Sequence, residues 1–168
     1  MAWTAPSTWV AGAVVTAAQL NQQVRDNFKA IGDPGTAFTP AWTGATTNPV
    51  IGNGTLTGGY NVAGKRLWVW MRIVMGTGTT YGSGGYSIGL PGGMSLAPGR
   101  WRLNGLTRDE SATSYWDVIG AWNATSSNFA LLTPAVTAGN NLRSVNATAP
   151  FTFAATDEIF LSGDFELA

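Results

Sequence analysis

Lys65-Arg-Leu-Trp-Val-Trp-Met-Arg-Ile-Val-Met75 alternates without a break. In an extended chain Leu67, Val69, Met71, Ile73 and Met75 fall on one face, and Arg66, Trp68, Trp70, Arg72 and Val74 on the other. β-branched and aromatic residues fill the stretch, and turn residues bound it at 61–64 and 76–85. It predicts a half-buried strand. Outward from it, further strands are expected at 55–62, 85–90, 100–107, 115–123, 128–132, 142–149 and 158–167. Turns are expected at 91–99, 137–141 and 154–157. Eight strands with frequent turns predict a mainly β chain, an antiparallel jelly-roll-like β-sandwich over residues 41–168.

Upstream the period changes. Thr16-Ala-Ala-Gln19 is a capping box, and Val15 with Leu20 can close a hydrophobic staple. Gly32 suits a left-handed C-terminal position, and Pro34 forbids continuation. A helix over 16–31 runs roughly 22 Å and is marginal in water without a packing partner. Ala17, Leu20, Val24, Asn27 and Ile31 step 3, 4, 3, 4, which is a heptad seam. An Asn in such a seam sets register and oligomer number. The seam suits an inter-chain bundle, and the same pattern suits a helix lying on its own β-domain. Residues 1–15, with Trp3, Pro6 and Trp9, read as an apolar arm whose tryptophans suit docking to another protein. Residues 32–40 read as a linker rich in turn formers.

Composition narrows the function. Of 168 residues, 45% are apolar and 11% charged, with nine charges of each sign. That neutral, charge-poor surface argues against nucleic acid, whose phosphates need Lys and Arg, and against a polybasic membrane contact. No apolar run reaches the length of a bilayer span, and no export signal is recognisable. Cys and His are absent, which excludes disulfides, thiolate nucleophiles, imidazole triads and Cys/His zinc sites. The expectation is a protein that is not an enzyme and carries no cofactor and no metal.

Some residues invite a chemical reading. Trp68 and Trp70, about 7 Å apart on one strand face between Arg66 and Arg72, can stack a sugar ring, or pack against protein with Arg stems over them. Arg108-Asp109-Glu110 holds neighbouring carboxylates, the kind of group glycosidases use, yet it sits in a run that reads as a solvated loop. The loops at 76–85, 92–100 and 107–115 carry Tyr81, Arg100, Arg108, Asp109 and Glu110. Loops at one end of a sandwich are a natural place for glycan or partner contact. Gly76-Thr-Gly-Thr-Thr-Tyr-Gly-Ser-Gly84 lacks the Lys-Ser/Thr ending and following helix of a phosphate loop.

Four motifs in order carry a resemblance. They are Trp9-Val-Ala-Gly-Ala-Val-Val-Thr-Ala-Ala-Gln-Leu-Asn21 with Val24-Arg-Asp-Asn27; Gly52-Asn-Gly-Thr-Leu-Thr-Gly-Gly-Tyr60 with Gly64-Lys65; Gly76–Gly84 leading to Leu90-Pro91; and Ala149-Pro-Phe-Thr-Phe153 with Asp157 and Ser162-Gly-Asp-Phe-Glu166. The chain resembles a group of tailed-bacteriophage virion proteins, labelled minor tail or virion structural proteins in phages of actinobacteria. Residues 92–148 match least. The resemblance implies a homotrimeric β-knob on the particle surface, with Ala17, Leu20, Val24, Asn27 and Ile31 at the trimer interface and phage capsid or tail proteins as partners. It transfers no catalytic motif. The expected role is capsid decoration or a head-fibre knob, docked through Trp3, Pro6 and Trp9. The alternative is a minor tail or tail-fibre protein that binds host cell-wall glycan.

Overall fold

A computed structural model describes residues 4–32, 35–92, 94–122, 128–135 and 141–168. Trp3, Pro34 and most of the turn expected at 137–141 lie outside the described residues. The strands are β1 (Thr36–Phe38), β2 (Trp42–Gly44), β3 (Thr55–Ala63), β4 (Arg66–Val74), β5 (Tyr86–Gly89), β6 (Arg102–Asp109), β7 (Ser114–Trp122), β8 (Asn128–Pro134), β9 (Leu142–Ser144) and β10 (Glu158–Glu166). All pairings between them are antiparallel, in the order β1-β3-β4-β10-β6-β7-β8-β5-β2. β9 joins β8 on the same edge as β5, farther along the strand.

The alternation of β4 holds. Leu67, Val69, Met71 and Ile73 are fully buried, while Arg66, Trp68 and Arg72 are exposed. The buried row continues through Ile159, Leu161 and Phe165 of β10, Leu103 of β6, Val118 of β7, Phe129 and Leu131 of β8, and Tyr86 and Ile88 of β5. These side chains form one cluster. Phe165 and Phe129 meet at 5.2 Å between ring centroids although β6 and β7 separate their strands in the ladder. The sheet therefore curls on itself and packs its inner face against itself, which makes the fold mainly β, antiparallel and sandwich-like. At Gly105, where β6 lies beside β10, a Cβ would run into the Phe160 carbonyl, so the close approach requires glycine.

Two strands escape a reading by period because each is only three residues long. β1 falls in the expected linker: Thr36, Ala37 and Phe38 pair with Tyr60, Gly59 and Gly58. The linker is thus partly a sheet edge. β2 places Trp42 opposite Ile88 and inside the core.

The helix starts as expected. Gln19 N donates to Thr16 Oγ1 and Thr16 N donates to Gln19 Oε1, so the capping box is closed. Its interior differs from a regular heptad. A helical turn, α1 (Ala17–Leu20), passes into a π-helical stretch over Asn21–Asp26 and then α2 (Asn27–Ile31). A π segment adds residues per turn and so rotates the downstream helical residues relative to the upstream ones. Asn27 consequently leaves the outward stripe and is buried, while Ala17, Leu20, Val24 and Ile31 remain exposed. Gly32 has φ −93° and not the left-handed value expected of it; its N–H still closes the last turn on Phe28 O at 3.2 Å. α2 packs over β3 through Ala30, which is buried. One end of the helix thus rests on its own β-domain, and its apolar stripe stays open.

Candidate interaction surface

The arm folds back along the helix. Thr4 N donates to Asn27 Oδ1 at 3.0 Å, and Asn27 Nδ2 donates to Thr4 O at 3.0 Å and to Gln23 O at 3.2 Å. Ser7 N donates to Gln23 Oε1 at 2.8 Å. Two side-chain amides thereby hold an extended backbone as a neighbouring strand would. Asn27, expected to set the register between copies, spends its hydrogen bonds inside its own chain. The reversal runs through Gly12, whose φ of +81° suits glycine, with Ala13 N donating to Val10 O.

These polar contacts leave the apolar side chains outside. Trp9, Val10, Val14, Val15, Leu20, Val24, Phe28 and Ile31 are all exposed, Val14 at 88% and Phe28 at 72%. Pro6 is exposed as well. A run of large apolar side chains displayed this openly marks an interaction site.

A second apolar group lies on the outer face of the sheet. Trp68 is 45% exposed, Phe160 42% and Leu106 44%. Phe160 and Leu106 are direct register partners, and Phe160 also faces Arg72. Half-buried Trp70 and exposed Tyr115 sit diagonally to this pair, since Leu106 pairs with Asp117 two residues beyond Tyr115. Trp68 and Trp70 therefore belong to the outer face and do not enter the core. The guanidinium groups beside them are held: Arg66 donates to Asp164 through Nε at 2.7 Å and Nη2 at 2.5 Å, and Arg72 Nη2 donates to Glu158 Oε1 at 2.6 Å.

The expected loop cluster is divided. The 76–85 loop and the β6–β7 turn share one end of the knob, because Glu158 pairs with both Val74 and Arg108. Residues 94–100, with Arg100, lie at the other end, where Ala97 N donates to Glu166 O. Strand register separates what proximity in sequence suggested. Tyr81 is half-buried against the core, and its carbonyl accepts the Tyr86 hydroxyl at 2.6 Å. Burial first, and then the Asp157 charge, raises its phenol above the ordinary value. It packs against the core with part of its surface left open.

Arg108 pairs with Glu110, and Asp109 holds the turn, while the buried Arg108 Nε has no hydrogen-bond partner. Arg108 Nη2 meets Glu110 Oε2 at 2.8 Å, and its guanidinium lies 5.9 Å from the Tyr115 ring centroid. Asp109 Oδ1 accepts the Ser111 hydroxyl at 2.7 Å and the Ala112 amide at 3.0 Å, which hold its carboxyl below the ordinary value. Buried Asp157 accepts the Glu110 amide at 2.9 Å and the Ala154 amide at 2.7 Å, tying this turn to the lead into β10.

Two adjoining clefts share Ala63 and Arg66. One, of about 280 Å³, lies between Ile31, Asn61 and Trp68. The other, of about 460 Å³, runs past Lys65, Trp101, Asp164 and Glu166. The Trp101 Nε1 donates to Ala97 O at 2.8 Å, and its ring stands edge-on to Phe165.

Sequence reasoning missed Phe28, Leu106, Phe160 and the buried role of Asp157. The signal for Phe160 was present: it is the apolar break in the outer row Glu158, Ser162, Asp164 and Glu166. No protein-family model, no curated protein and no solved structure matches this chain.

Proposed function

We propose that the protein is a non-enzymatic surface component of a bacteriophage virion, a self-associating β-knob, homotrimeric, seated on the capsid through its N-terminal arm. The exposed apolar arm and helix carry this reading. A single chain leaves that run uncovered, and a single turn-and-a-half of packing on β3 does not bury it. The neutral, cysteine-free and histidine-free composition suits a structural role. The resemblance of the four motifs supplies the virion setting. The test is attachment. Chain lacking residues 1–15, mixed with particles stripped of the protein, should fold yet fail to bind, and Trp9→Ala should weaken binding. Equal decoration by the truncated chain would refute docking through the arm. Cryo-electron microscopy of the particle should place the knob on the head.

The cleft between Arg66 and Trp101 favours a second reading, a tail-tip or fibre protein binding host cell-wall glycan. It combines an aromatic side chain with fixed charges, and trimer avidity would raise weak single-site affinity. Pull-down of the chain by host cell walls tests it, and no binding at high protein concentration would remove it.

A further inference from the structure

The two apolar groups are continuous. Ile31 of α2 and Trp68 of β4 line the same 280 Å³ cleft. From Trp68 the apolar path runs to Trp70, two residues along the strand, then diagonally to Phe160, directly across to Leu106, and diagonally to Tyr115. It crosses β4, β10, β6 and β7 on the face opposite the core.

Three cations that border this path already hold an anion, while Asp117, the register partner of Leu106, is exposed on the same face. Arg66 holds Asp164, Arg72 holds Glu158 and Arg108 holds Glu110. Each of these three cations keeps its anion when the path is covered, although the buried Arg108 Nε has no hydrogen-bond partner. Removing an unpaired charge from water is what normally makes such a face costly to bury.

We infer that this outer face, from Ile31 to Tyr115, is an interface that packs against a second copy of this chain. The inference rests on the self-association in the proposed function and assigns the knob surface involved in it. Area supports the assignment. Half-exposed large side chains each display on the order of 100 Å², so Ile31, Trp68, Phe160, Leu106 and Tyr115 offer roughly 500 Å², a large share of the ~800 Å² each partner gives to a standard interface. Charge supports it too, since copies of a chain with zero net charge do not repel as wholes. The path also runs from the helix, on which Leu20, Val24, Phe28 and Ile31 are exposed.

Sedimentation of three forms tests the inference: wild type, the sheet-face variant Leu106→Arg with Phe160→Arg, and the helix variant Leu20→Arg with Val24→Arg. Both pairs are exposed in the single chain, so circular dichroism should remain native. The wild type should sediment as an oligomer at micromolar concentration, and the sheet-face variant should need at least about tenfold higher concentration to reach the same mass. A sheet-face variant that assembles like wild type, while the helix variant dissociates, overturns this interface and leaves self-association standing. A monomeric wild type overturns both. Thiol labelling provides a measurement independent of the charge variants. The chain has no cysteine, so Leu106→Cys introduces the sole thiol, whose labelling should slow about tenfold as the oligomer forms. A rate independent of protein concentration overturns the interface.

Discussion

Asn27 grips the backbone of Thr4 from both sides, accepting its N–H and donating to its carbonyl, each at 3.0 Å. The side chain thus imitates a neighbouring strand and, with the Ser7–Gln23 hydrogen bond, ties the arm to a helix at least 16 residues away in sequence. Replacing it should free the arm without unfolding the knob.

Asn27→Asp is the discriminating substitution. It keeps an acceptor for Thr4 N and turns the two donated hydrogen bonds into a carboxylate facing the carbonyls of Thr4 and Gln23. Hydrogen exchange at Thr4 and Ser7 should accelerate by about tenfold or more, since losing hydrogen bonds at a buried amide costs on the order of 1–3 kcal/mol. Exchange in β4 and β10 should stay unchanged. Protected Thr4 and Ser7 amides in the variant would show that other contacts hold the arm.

Asp157→Ala removes the acceptor for two amides in a buried turn. The expected loss is on the order of 2–3 kcal/mol, which lowers the melting temperature by about 5–10 °C in a chain of this size. Calorimetry checks it. A shift under a degree would mean that solvent replaces the carboxylate at the Glu110 and Ala154 amides.

Alkaline pH should unfold the knob at Tyr86. Burial pushes its phenol far above the ordinary value of 10, and its hydroxyl donates to Tyr81 O. A raised folded value favours the protonated form, so the stabilisation is complete below about pH 10, the unfolded value. It is lost as pH climbs from there towards the folded value. Phenolate absorbance from this residue should appear together with loss of near-ultraviolet circular dichroism. Tyr86→Phe should abolish part of that alkaline sensitivity while leaving the stability near neutral pH lower by about 1 kcal/mol. Smooth ionisation of Tyr86 near pH 10 in a folded chain would contradict this.

Gly105→Ala should be among the more damaging single-methyl additions in the sheet. The new Cβ meets the Phe160 carbonyl, which is backbone and cannot rotate away. Forcing β6 from β10 should cost on the order of 2 kcal/mol or more. The denaturant midpoint measures it. Because the register pair Phe160 and Leu106 spans this same seam, the substitution should also disturb self-association if the outer face is the interface.

The sequence by itself determined what depends on neighbours a few residues apart. Strict alternation at 65–75 identified the buried face of β4, because successive side chains in a strand must point to opposite sides. Thr16 and Gln19 located the helix start, because a capping box closes within one turn. Only the tertiary structure decided which distant residues meet. Asn27 reads as a seam position by spacing, yet a π-helical stretch rotates it towards Thr4. Tyr81 reads as a loop residue by composition, yet the Gly-rich segment carrying it lies against the core. Phe160 and Leu106 are separated by 54 positions and face each other because β10 lies between β4 and β6. Alternation sets the face a side chain takes, and strand order and register set its neighbours. Those are fixed only when the sheet curls to close its core.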